Sequence, residues 1–288
     1  MNLHIEKIKY ISHSMCFFSL FFMMTGKLIC CVLQFTNKEN YFISKFGASK
    51  FIGDDGAVIG KNVYSMDSFF ENVHFKTSWM SLKQIAIKAM LVNISDAIVM
   101  NAVPKYALLS VAIPPHFTFA DLDKLASGFK KIAKEYKITI IGGDTISNNK
   151  LDISITIISQ TKEPIYRTGT KEGDFVCFTG EIGSVKKDLD KLLANEKINK
   201  DSKFIKPKLK ASFFYEIAPY INSALDISDG LFFELERLSK VNNIGFDFFD
   251  TITKEIGCSG EEYEILFTFD PKNVKKISKI AKKHDINL

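Results

Sequence analysis

Several common functional motifs are missing from this sequence of 288 residues. Neither G-x-x-x-x-G-K-[ST] nor G-x-G-x-x-G occurs, which argues against a P-loop or a Rossmann dinucleotide site. The cysteines include no C-x-x-C pair, so a zinc or thiol-redox centre of that type is excluded. No apolar run reaches the roughly 20 residues of a membrane-spanning helix. The sequence also has no low-complexity tract and no internal repeat.

The composition is that of an ordinary globular chain, with 46% apolar and 25% charged residues. These fractions exclude a disordered, collagen-like or coiled-coil protein. The length suggests two domains or one large domain, and it allows a large buried core. The formal net charge of +5 does not require a nucleic-acid partner. We therefore expect no nucleic acid among the partners of this chain.

The five cysteines favour a cytoplasmic location. They are Cys16, Cys30, Cys31, Cys177 and Cys258. Because three of them lie close to the N-terminus and none has a metal-site or redox spacing, we expect reduced and mostly buried thiols.

The first 39 residues carry none of the motifs discussed below. Lys7 and Lys9 precede the apolar stretch Met15–Met24, as in a secretory signal, but no small-x-small cleavage site follows. Three interpretations remain open: a signal or anchor, an additional helix, and an extension upstream of the natural start. We favour the extension, because the motifs begin after residue 40 and later methionines offer other starts. A membrane partner is expected only if this segment is native.

Hydrophobic periodicity and turn residues predict alternating strands and helices, and hence a mixed α/β fold. Ser81 is positioned to cap a helix that ends near Met100, and Thr118 one that ends near Tyr136. A polar segment at 162–174 marks the predicted boundary between an N-terminal domain and a C-terminal domain. The predicted domains are 40–162 and 163–288, the strands are 51–60, 62–70, 106–113, 138–141, 151–159, 175–180, 245–249 and 264–269, and the other helices are 184–195, 207–220, 231–241 and 271–283.

Five short segments place carboxylates beside glycines or at the ends of apolar runs. One such segment alone is usually a turn or a helix cap, but five in one chain indicate a shared function. Magnesium usually joins a few carboxylates to substrate phosphates. Because no histidine or cysteine accompanies these carboxylates, they predict magnesium and a nucleotide rather than zinc or iron. The segments are Gly53-Asp54-Asp55, Ser65-Met66-Asp67, Asn93-Ile94-Ser95-Asp96, Gly142-Gly143-Asp144-Thr145 and Asp226-Ile227-Ser228-Asp229-Gly230.

Asp96 is the clearest of these carboxylates. On the predicted helix it shares an apolar face with Asn93 and Ala89. An unpaired buried carboxylate is costly, and no lysine or arginine lies on that face, so we expect a cation from elsewhere. Asp144 follows a predicted buried strand that ends in two glycines, where the backbone can approach a ligand.

Seven segments occur in a characteristic order: FIGDDGAVI, MDSFFENVHF, LVNISDAIVM, ITIIGGDT, YRTGTKEGDFVCFTG, LDISDGL and SGEEYEIL. Together they resemble the thiamine-monophosphate kinase family of the aminoimidazole-ribonucleotide-synthetase-like superfamily. The resemblance implies an α/β (α+β) fold of two domains, with mixed sheets covered by helices. It implies direct, in-line phosphorylation of thiamine monophosphate to thiamine diphosphate by ATP with several magnesium ions, a step of thiamine biosynthesis. It also implies a homodimer built through the N-terminal, ATP- and metal-binding domain.

The resemblance assigns roles by motif position. No covalent nucleophile is expected. The guanidinium fork of Arg167 matches phosphate oxygens, in agreement with its assigned role. The implied metal ligands are Asp55, Ser65, Met66, Asp67, Asp96, Asp144, Asp226 and Asp229, the implied ATP contacts are Gly143, Asp144, Arg167 and Ser228, and the implied acceptor contacts are His74 and Glu261.

The sequence departs from the family pattern in three places. Met66 stands where threonine is usual, so a metal ligand there must come from the backbone or be absent. Glu262 stands where aspartate is usual, beside the expected substrate position. The sequence stops at Leu288, before a further strand and an aromatic residue that packs on the substrate. Two alternatives therefore stay open: another ATP-dependent synthetase of the superfamily, and a non-catalytic protein that binds nucleotide or thiamine phosphate.

Overall fold

The computed structural model describes residues 8–9, 38, 41–47 and 49–288. The predictions for Cys16, Cys30 and Cys31, and for the apolar stretch of residues 15–35, lie outside these residues. Within the described ranges, two five-stranded sheets are packed with helices, as expected of a mixed α/β fold. The strands are β1 (Ile8–Lys9), β2 (Ala57–Ile59), β3 (Asn62–Phe70), β4 (Val103–Ile113), β5 (Thr139–Ser147), β6 (Asp152–Gln160), β7 (Phe175–Phe178), β8 (Ser223–Asp226), β9 (Asp247–Phe248) and β10 (Ile265–Phe269), and the α-helices are α1 (Leu82–Val99), α2 (Phe119–Glu135), α3 (Ser184–Leu193), α4 (Ala211–Ile217), α5 (Leu231–Asn242), α6 (Lys254–Gly257) and α7 (Val274–Lys283).

The first sheet has the strand order β2-β3-β6-β4-β5. β3 and β4 both run antiparallel to β6, and β5 runs parallel to β4. In β6 the side chains of Ile153, Ile155 and Ile157 are fully buried, and the residues between them are half-buried. Because alternate residues of a strand point to opposite faces, one face packs on α1, and the other is left partly exposed by the residues that the structure describes. We call these the inner face and the outer face of the sheet.

Helix α1 lies in the interior of the molecule. It begins after Ser81, whose hydroxyl accepts the Gln84 N–H while the Gln84 side chain accepts the Ser81 N–H. Every residue from Ile85 to Val99 is buried, so the helix is covered on all sides. It packs on β3 and β6 of the first sheet and on β8 of the second. Its charged residues Lys88 and Asp96 therefore need partners inside the protein.

β5 differs from its prediction in length and burial. The sequence predicts a buried strand that ends before the two glycines, but β5 continues to Ser147 and all of its residues are exposed. The reason is that β5 is the edge strand of the sheet. At Gly143 (φ 148°) a Cβ atom would lie 1.7 Å from the Leu109 carbonyl oxygen. The glycine therefore makes room for the backbone of β4.

The second sheet has the strand order β8-β10-β7-β1-β9, and its paired strands are antiparallel. Apart from β1, its strands come from residues 175–269, whereas the first sheet comes from residues 57–160. The predicted boundary at 162–174 lies between the two sets, and the division into two domains stays a prediction. β1 falls within the predicted extension of residues 1–39, and it pairs with β7 and β9.

Glu262 caps the N-terminus of α3, and its expected position beside the substrate stays a prediction. It is 1% exposed, and its Oε1 accepts the N–H groups of Gly183 (2.6 Å) and Val185 (3.2 Å) and the hydroxyl of Ser259 (2.6 Å). Gly183 is the N-cap of α3 and has no side chain to cap it. Glu262 therefore supplies the negative charge that a helix N-terminus favours. Lys203 donates to its Oε2 at 3.0 Å.

Most helices match their predictions to within a few residues, and α4 is the exception. The sequence predicts a helix over 207–220, but α4 covers Ala211–Ile217 and continues only as a 3-10 helix at Ala218–Tyr220. Pro219 lacks the N–H group that an α-helix would need at that point. In the described part of the chain, no helix combines the length and the hydropathy required to cross a membrane.

Replacing Glu262 with alanine should destabilise the protein by about 2–4 kcal/mol, because two helix N–H groups lose their acceptor and the Lys203 ammonium group loses one of its partners. The free energy of unfolding in urea measures this. Glu172→Ala, which removes an exposed carboxylate, is the matched control. Equal stability of the two variants would show that Glu262 does not cap α3.

Candidate active site

Three carboxylates meet where α1 lies between the two sheets. Asp96 belongs to α1, Asp226 ends β8, and Asp55 precedes β2. One oxygen atom of each lies within 4.8 Å of the others. We call these three residues the carboxylate triad. All three are predicted metal ligands, and the fold brings them together from distant segments of the sequence.

Burial and like charge both oppose ionisation of Asp96 and Asp226. Burial, followed by Asp67 and Asp226, raises the pKa of Asp96 well above its ordinary value. Burial, followed by Asp55, also raises the pKa of Asp226, although the Ser95 hydroxyl donates to its Oδ2 at 2.5 Å. Within the part of the chain that the structure describes, the Oδ2 atom of Asp55 is buried without a hydrogen-bond partner. An unpartnered oxygen among clustered carboxylates fits a divalent cation such as magnesium.

Strand β3 carries three further predicted metal ligands. Because side chains alternate along a strand, these ligands lie on two different faces of the sheet. Ser65 and Asp67 lie on the inner face, and the Ser65 hydroxyl is buried without a partner. Burial, followed by Asp55 and Asp229, raises the pKa of Asp67 to about 6. Met66 lies on the outer face, where it is 62% exposed. Its side chain therefore points away from the triad.

Arg167 lies beside the triad and is largely buried, as expected of a phosphate clamp rather than a surface charge. Its Nη2 donates to Asp55 Oδ1 at 2.5 Å, and its backbone N–H donates to Asp54 Oδ1 at 2.6 Å. Burial alone would lower the pKa of Arg167, but the ion pair with Asp55 raises it above its ordinary range. Its Nε atom is buried without a partner. A fixed guanidinium with an unused donor can bind phosphate oxygens.

Asp229 and Ser228 follow β8 and extend the site. Arg237 donates to Asp229 Oδ2 at 2.9 Å and to Glu234 Oε2 at 3.0 Å, and Glu234 Oε1 accepts the Asp229 N–H at 3.1 Å. Burial raises the pKa of Glu234 to about 7, although Arg237 acts in the opposite direction. The Ser228 carbonyl accepts the N–H of Glu261 at 2.6 Å. These contacts fix the turn after β8 against the segment before β10.

The structure does not bring Asp144 and Gly143 to the triad. The registers of β5, β4, β6 and β3 align Asp144 with Ser110, Ser154 and Ser68. Asp144 therefore lies three strand spacings, about 14 Å, from Ser68. It also lies on the outer face, whereas the triad lies on the side of α1. Asp144 and Gly143 can contact ATP or a metal as predicted only if a further structural element lies beside the outer face.

The predicted acceptor contacts, His74 and Glu261, lie close together. His74 Nδ1 accepts the Phe70 N–H at 2.9 Å, and its ring stacks on Phe69 with 5.4 Å between the centroids. Burial lowers the pKa of His74, although Glu261 acts against this shift. Glu261 forms an ion pair with Lys88, with 2.9 Å between Oε2 and Nζ.

Sequence reasoning missed several residues that hold the site. Lys88 is not predicted from the face of α1 that carries Asp96, and its signal is a single lysine in the apolar run IAIKAMLVNI. Asn242 fixes the loop of Arg167. Its Nδ2 donates to the Arg167 carbonyl at 2.9 Å, and its Oδ1 accepts the N–H groups of Gly169 (2.9 Å) and Thr170 (3.2 Å). No local pattern predicts this contact between residues 75 positions apart.

Comparison with known proteins identifies the family. The model of the AIR synthase related protein, N-terminal domain, matches residues 53–161. The thiamine-monophosphate kinase of Bacillus subtilis (strain 168) is 31% identical over 218 residues, which cover 70% of this chain and 67% of that protein. The thiamine-monophosphate kinase of Buchnera aphidicola subsp. Schizaphis graminum is 32% identical over 264 residues, 81% of each chain. This chain belongs to the thiamine-monophosphate kinase family.

Solved structures agree with membership of this kinase family. AaThiL complexed with AMPPCP and TMP has a TM-score of 0.73 at 25% identity, covering 81% of this chain and 84% of that one. Thiamine monophosphate kinase from Aquifex aeolicus has a TM-score of 0.68 at 25% identity and covers 81% and 86%. A HypE–HypF complex, at 17% identity and a TM-score of 0.70, shares the fold. The predicted family, fold class and enzyme class are confirmed, and the role of each site residue stays a prediction.

Without divalent cations, the melting temperature should fall as the pH rises from about 4 to about 7. The reason is that folding raises the pKa of Asp67 from 3.8 to about 6, so the folded state is favoured while this group is protonated. Magnesium binds the deprotonated carboxylates and should therefore raise the melting temperature more at pH 8 than at pH 5.5. Differential scanning fluorimetry, with sodium chloride matched in ionic strength, measures this. Equal increments at both pH values would contradict a cation at the triad.

Proposed function

We propose that this chain transfers the γ-phosphoryl group of ATP to the phosphate of thiamine monophosphate, forming ADP and thiamine diphosphate. The observation that carries this proposal is the carboxylate triad beside Arg167, in a chain whose relatives are named thiamine-monophosphate kinases. A structural neighbour is complexed with AMPPCP and TMP. A cytoplasmic location and two domains that meet near residues 162–174 belong to the same proposal.

On the nucleotide side, the chain supplies fixed charges. Phosphoryl transfer depends mainly on positioning and on stabilisation of phosphate charge. Arg167 is oriented by Asp55 and by the loop contacts of Asn242, so its free Nε–H is available to a phosphate oxygen. The triad, with Asp67 and Asp229 beside it, would hold magnesium. When bound, magnesium neutralises phosphate oxygens and fixes their positions.

On the acceptor side, His74 offers a hydrogen-bond donor. Its Nδ1 accepts the Phe70 N–H, so in the neutral ring the proton lies on Nε2. The lowered pKa favours this neutral form. The Nε2–H can donate to the acceptor without adding a charge. In the transfer itself, an acceptor phosphate oxygen forms the new P–O bond as the bond between the γ-phosphorus and the bridging oxygen of ATP breaks. No side chain of the chain needs to carry the phosphoryl group.

The proposal includes a homodimer, which accounts for the position of Asp144. The outer face of the first sheet exposes 62% of Met66, 44% of Tyr106 and 36% of Leu108. Exposed apolar patches of this kind mark interaction surfaces. Asp144 and Gly143 lie on the same sheet, on its edge strand. A second copy packed on the outer face would cover the apolar side chains and place Asp144 in a shared interface.

Purified protein with ATP, magnesium chloride and thiamine monophosphate should form thiamine diphosphate and ADP in equal amounts. Asp67→Asn should lower kcat/KM by about 100-fold or more, because it removes a charged oxygen ligand beside the triad. Asp123→Asn, which changes an exposed carboxylate on α2, is the matched control and should leave the rate unchanged.

Two outcomes would contradict the proposed reaction. Wild-type protein that forms no thiamine diphosphate at high enzyme concentration has no such activity. Thermal stabilisation by ATP or thiamine monophosphate without turnover would support the non-catalytic alternative. Full activity of Asp67→Asn would overturn the assignment of the metal site and leave the reaction in place.

The homodimer predicts a solution mass of twice one chain. Leu108→Glu puts a charge on the outer face and should shift the protein to a monomer, and Leu193→Glu, at a 58% exposed position on α3, should not. Size-exclusion chromatography with light scattering measures this. A wild-type monomer with full turnover would contradict a site shared between copies.

A further inference from the structure

Lys88 is a buried charge that the reaction described above does not use. Its side chain is 0% exposed, and its Nζ lies 2.9 Å from Glu261 Oε2. The ammonium group also lies 4.2 Å from the ring centroid of Phe204 and 5.6 Å from that of Phe69. A buried ammonium group is costly unless it is paired, so Lys88 and Glu261 depend on each other. The pair joins α1 to the segment before β10.

Glu261 is held in a constrained position. Its φ of 56° lies in the left-handed region, which side chains other than glycine rarely adopt. Its N–H donates to the Ser228 carbonyl at 2.6 Å, and its Oε2 is paired with Lys88. Its Oε1 atom, by contrast, is buried and has no hydrogen-bond partner among the described residues. One carboxylate oxygen is therefore anchored, and the other is an unused acceptor beside His74.

We propose that Lys88 is a positioning residue for the acceptor: it anchors Glu261 so that Oε1 accepts a hydrogen bond from an N–H group of the acceptor. This inference rests on the proposed function. Thiamine monophosphate carries such a group, the exocyclic amine of its pyrimidine ring. Lys88 itself acts only through Glu261, since its ammonium group is enclosed by Phe204, Phe69 and the carboxylate.

The charge of Lys88 has a second consequence. The acceptor carries a negative phosphate, and the triad nearby is also negative. An uncompensated carboxylate at Glu261 would repel such an acceptor. With Lys88 in place the pair is neutral, so Glu261 can offer an oxygen without adding net charge. Removal of Lys88 should therefore weaken binding of the acceptor and leave binding of ATP, which Arg167 serves, unchanged.

The test uses the full chain with Lys88→Met, Glu261→Gln and both changes together. Lys88→Met should raise KM for thiamine monophosphate about 10- to 100-fold and leave KM for ATP within about twofold. If Lys88 acts through Glu261, the double variant should bind the acceptor no worse than Glu261→Gln alone. Lys83→Met, at an exposed position in the first turn of α1, is the matched control.

An acceptor analogue separates positioning from a purely structural role. If Lys88 were only structural, its replacement would not change the preference for thiamine monophosphate over the analogue. Replacement of the exocyclic amine by hydrogen removes the N–H donor. Wild-type protein should prefer thiamine monophosphate to this analogue by about tenfold or more, and Lys88→Met should lose most of that preference. The same preference in both proteins would overturn the inference, because it would show that Lys88 does not orient Oε1.

Stability and binding measurements distinguish a folding defect, failure of the proposed function and failure of the inference about Lys88. If Lys88→Met does not fold, the double variant should fold, because it removes both charges. The inference is then tested by comparing the acceptor binding of the double variant with that of Glu261→Gln. Equal losses of ATP and acceptor binding would overturn a positioning role. If wild-type protein shows no turnover, the proposed function fails, and calorimetric titration of wild type and Lys88→Met with thiamine monophosphate still tests the inference. Equal dissociation constants would then overturn it.

Discussion

Repulsion among Asp55, Asp96 and Asp226 is the interaction on which the rest of the structure depends. Their oxygens lie within 4.8 Å of one another, and burial raises the pKa values of Asp96 and Asp226. Arg167 neutralises only part of this charge. In the proposed function, bound cations and phosphate groups would offset this repulsion. The net charge of +5 gives no indication of this acidic centre.

Helix α1 connects the two sides of the proposed reaction. It is buried on all sides and carries Asp96 for the metal side and Lys88 for the acceptor side. Eight residues separate them, which is about 12 Å along a helix axis. Because the helix is enclosed by both sheets, this separation is fixed. The distance between the triad and the anchored carboxylate of Glu261 is thus set by a rigid element, as positioning of two substrates requires.

Local features of this sequence predicted local structure well. Ser81 and Thr118 marked the starts of α1 and α2, because a cap depends only on residues within one turn. The grouping of Asp55, Asp96 and Asp226 followed from motif order. The exposure of β5 does not follow from the sequence, since an edge strand is defined by neighbours that are remote in sequence. The contacts of Glu262 with Gly183 and Val185, and that of Asn242 with Arg167, are not predicted either, because these partners lie more than 70 positions away.

A crystal structure with Mn²⁺ and a non-hydrolysable ATP analogue would test a cation at the triad most directly, because manganese is located by its anomalous scattering. We expect an anomalous peak within about 2.5 Å of one oxygen of each of Asp55, Asp96 and Asp226, with the analogue's phosphates on the same ion. If no anomalous peak lies between these carboxylates and they share protons with one another instead, the result would contradict a metal-dependent site at this position.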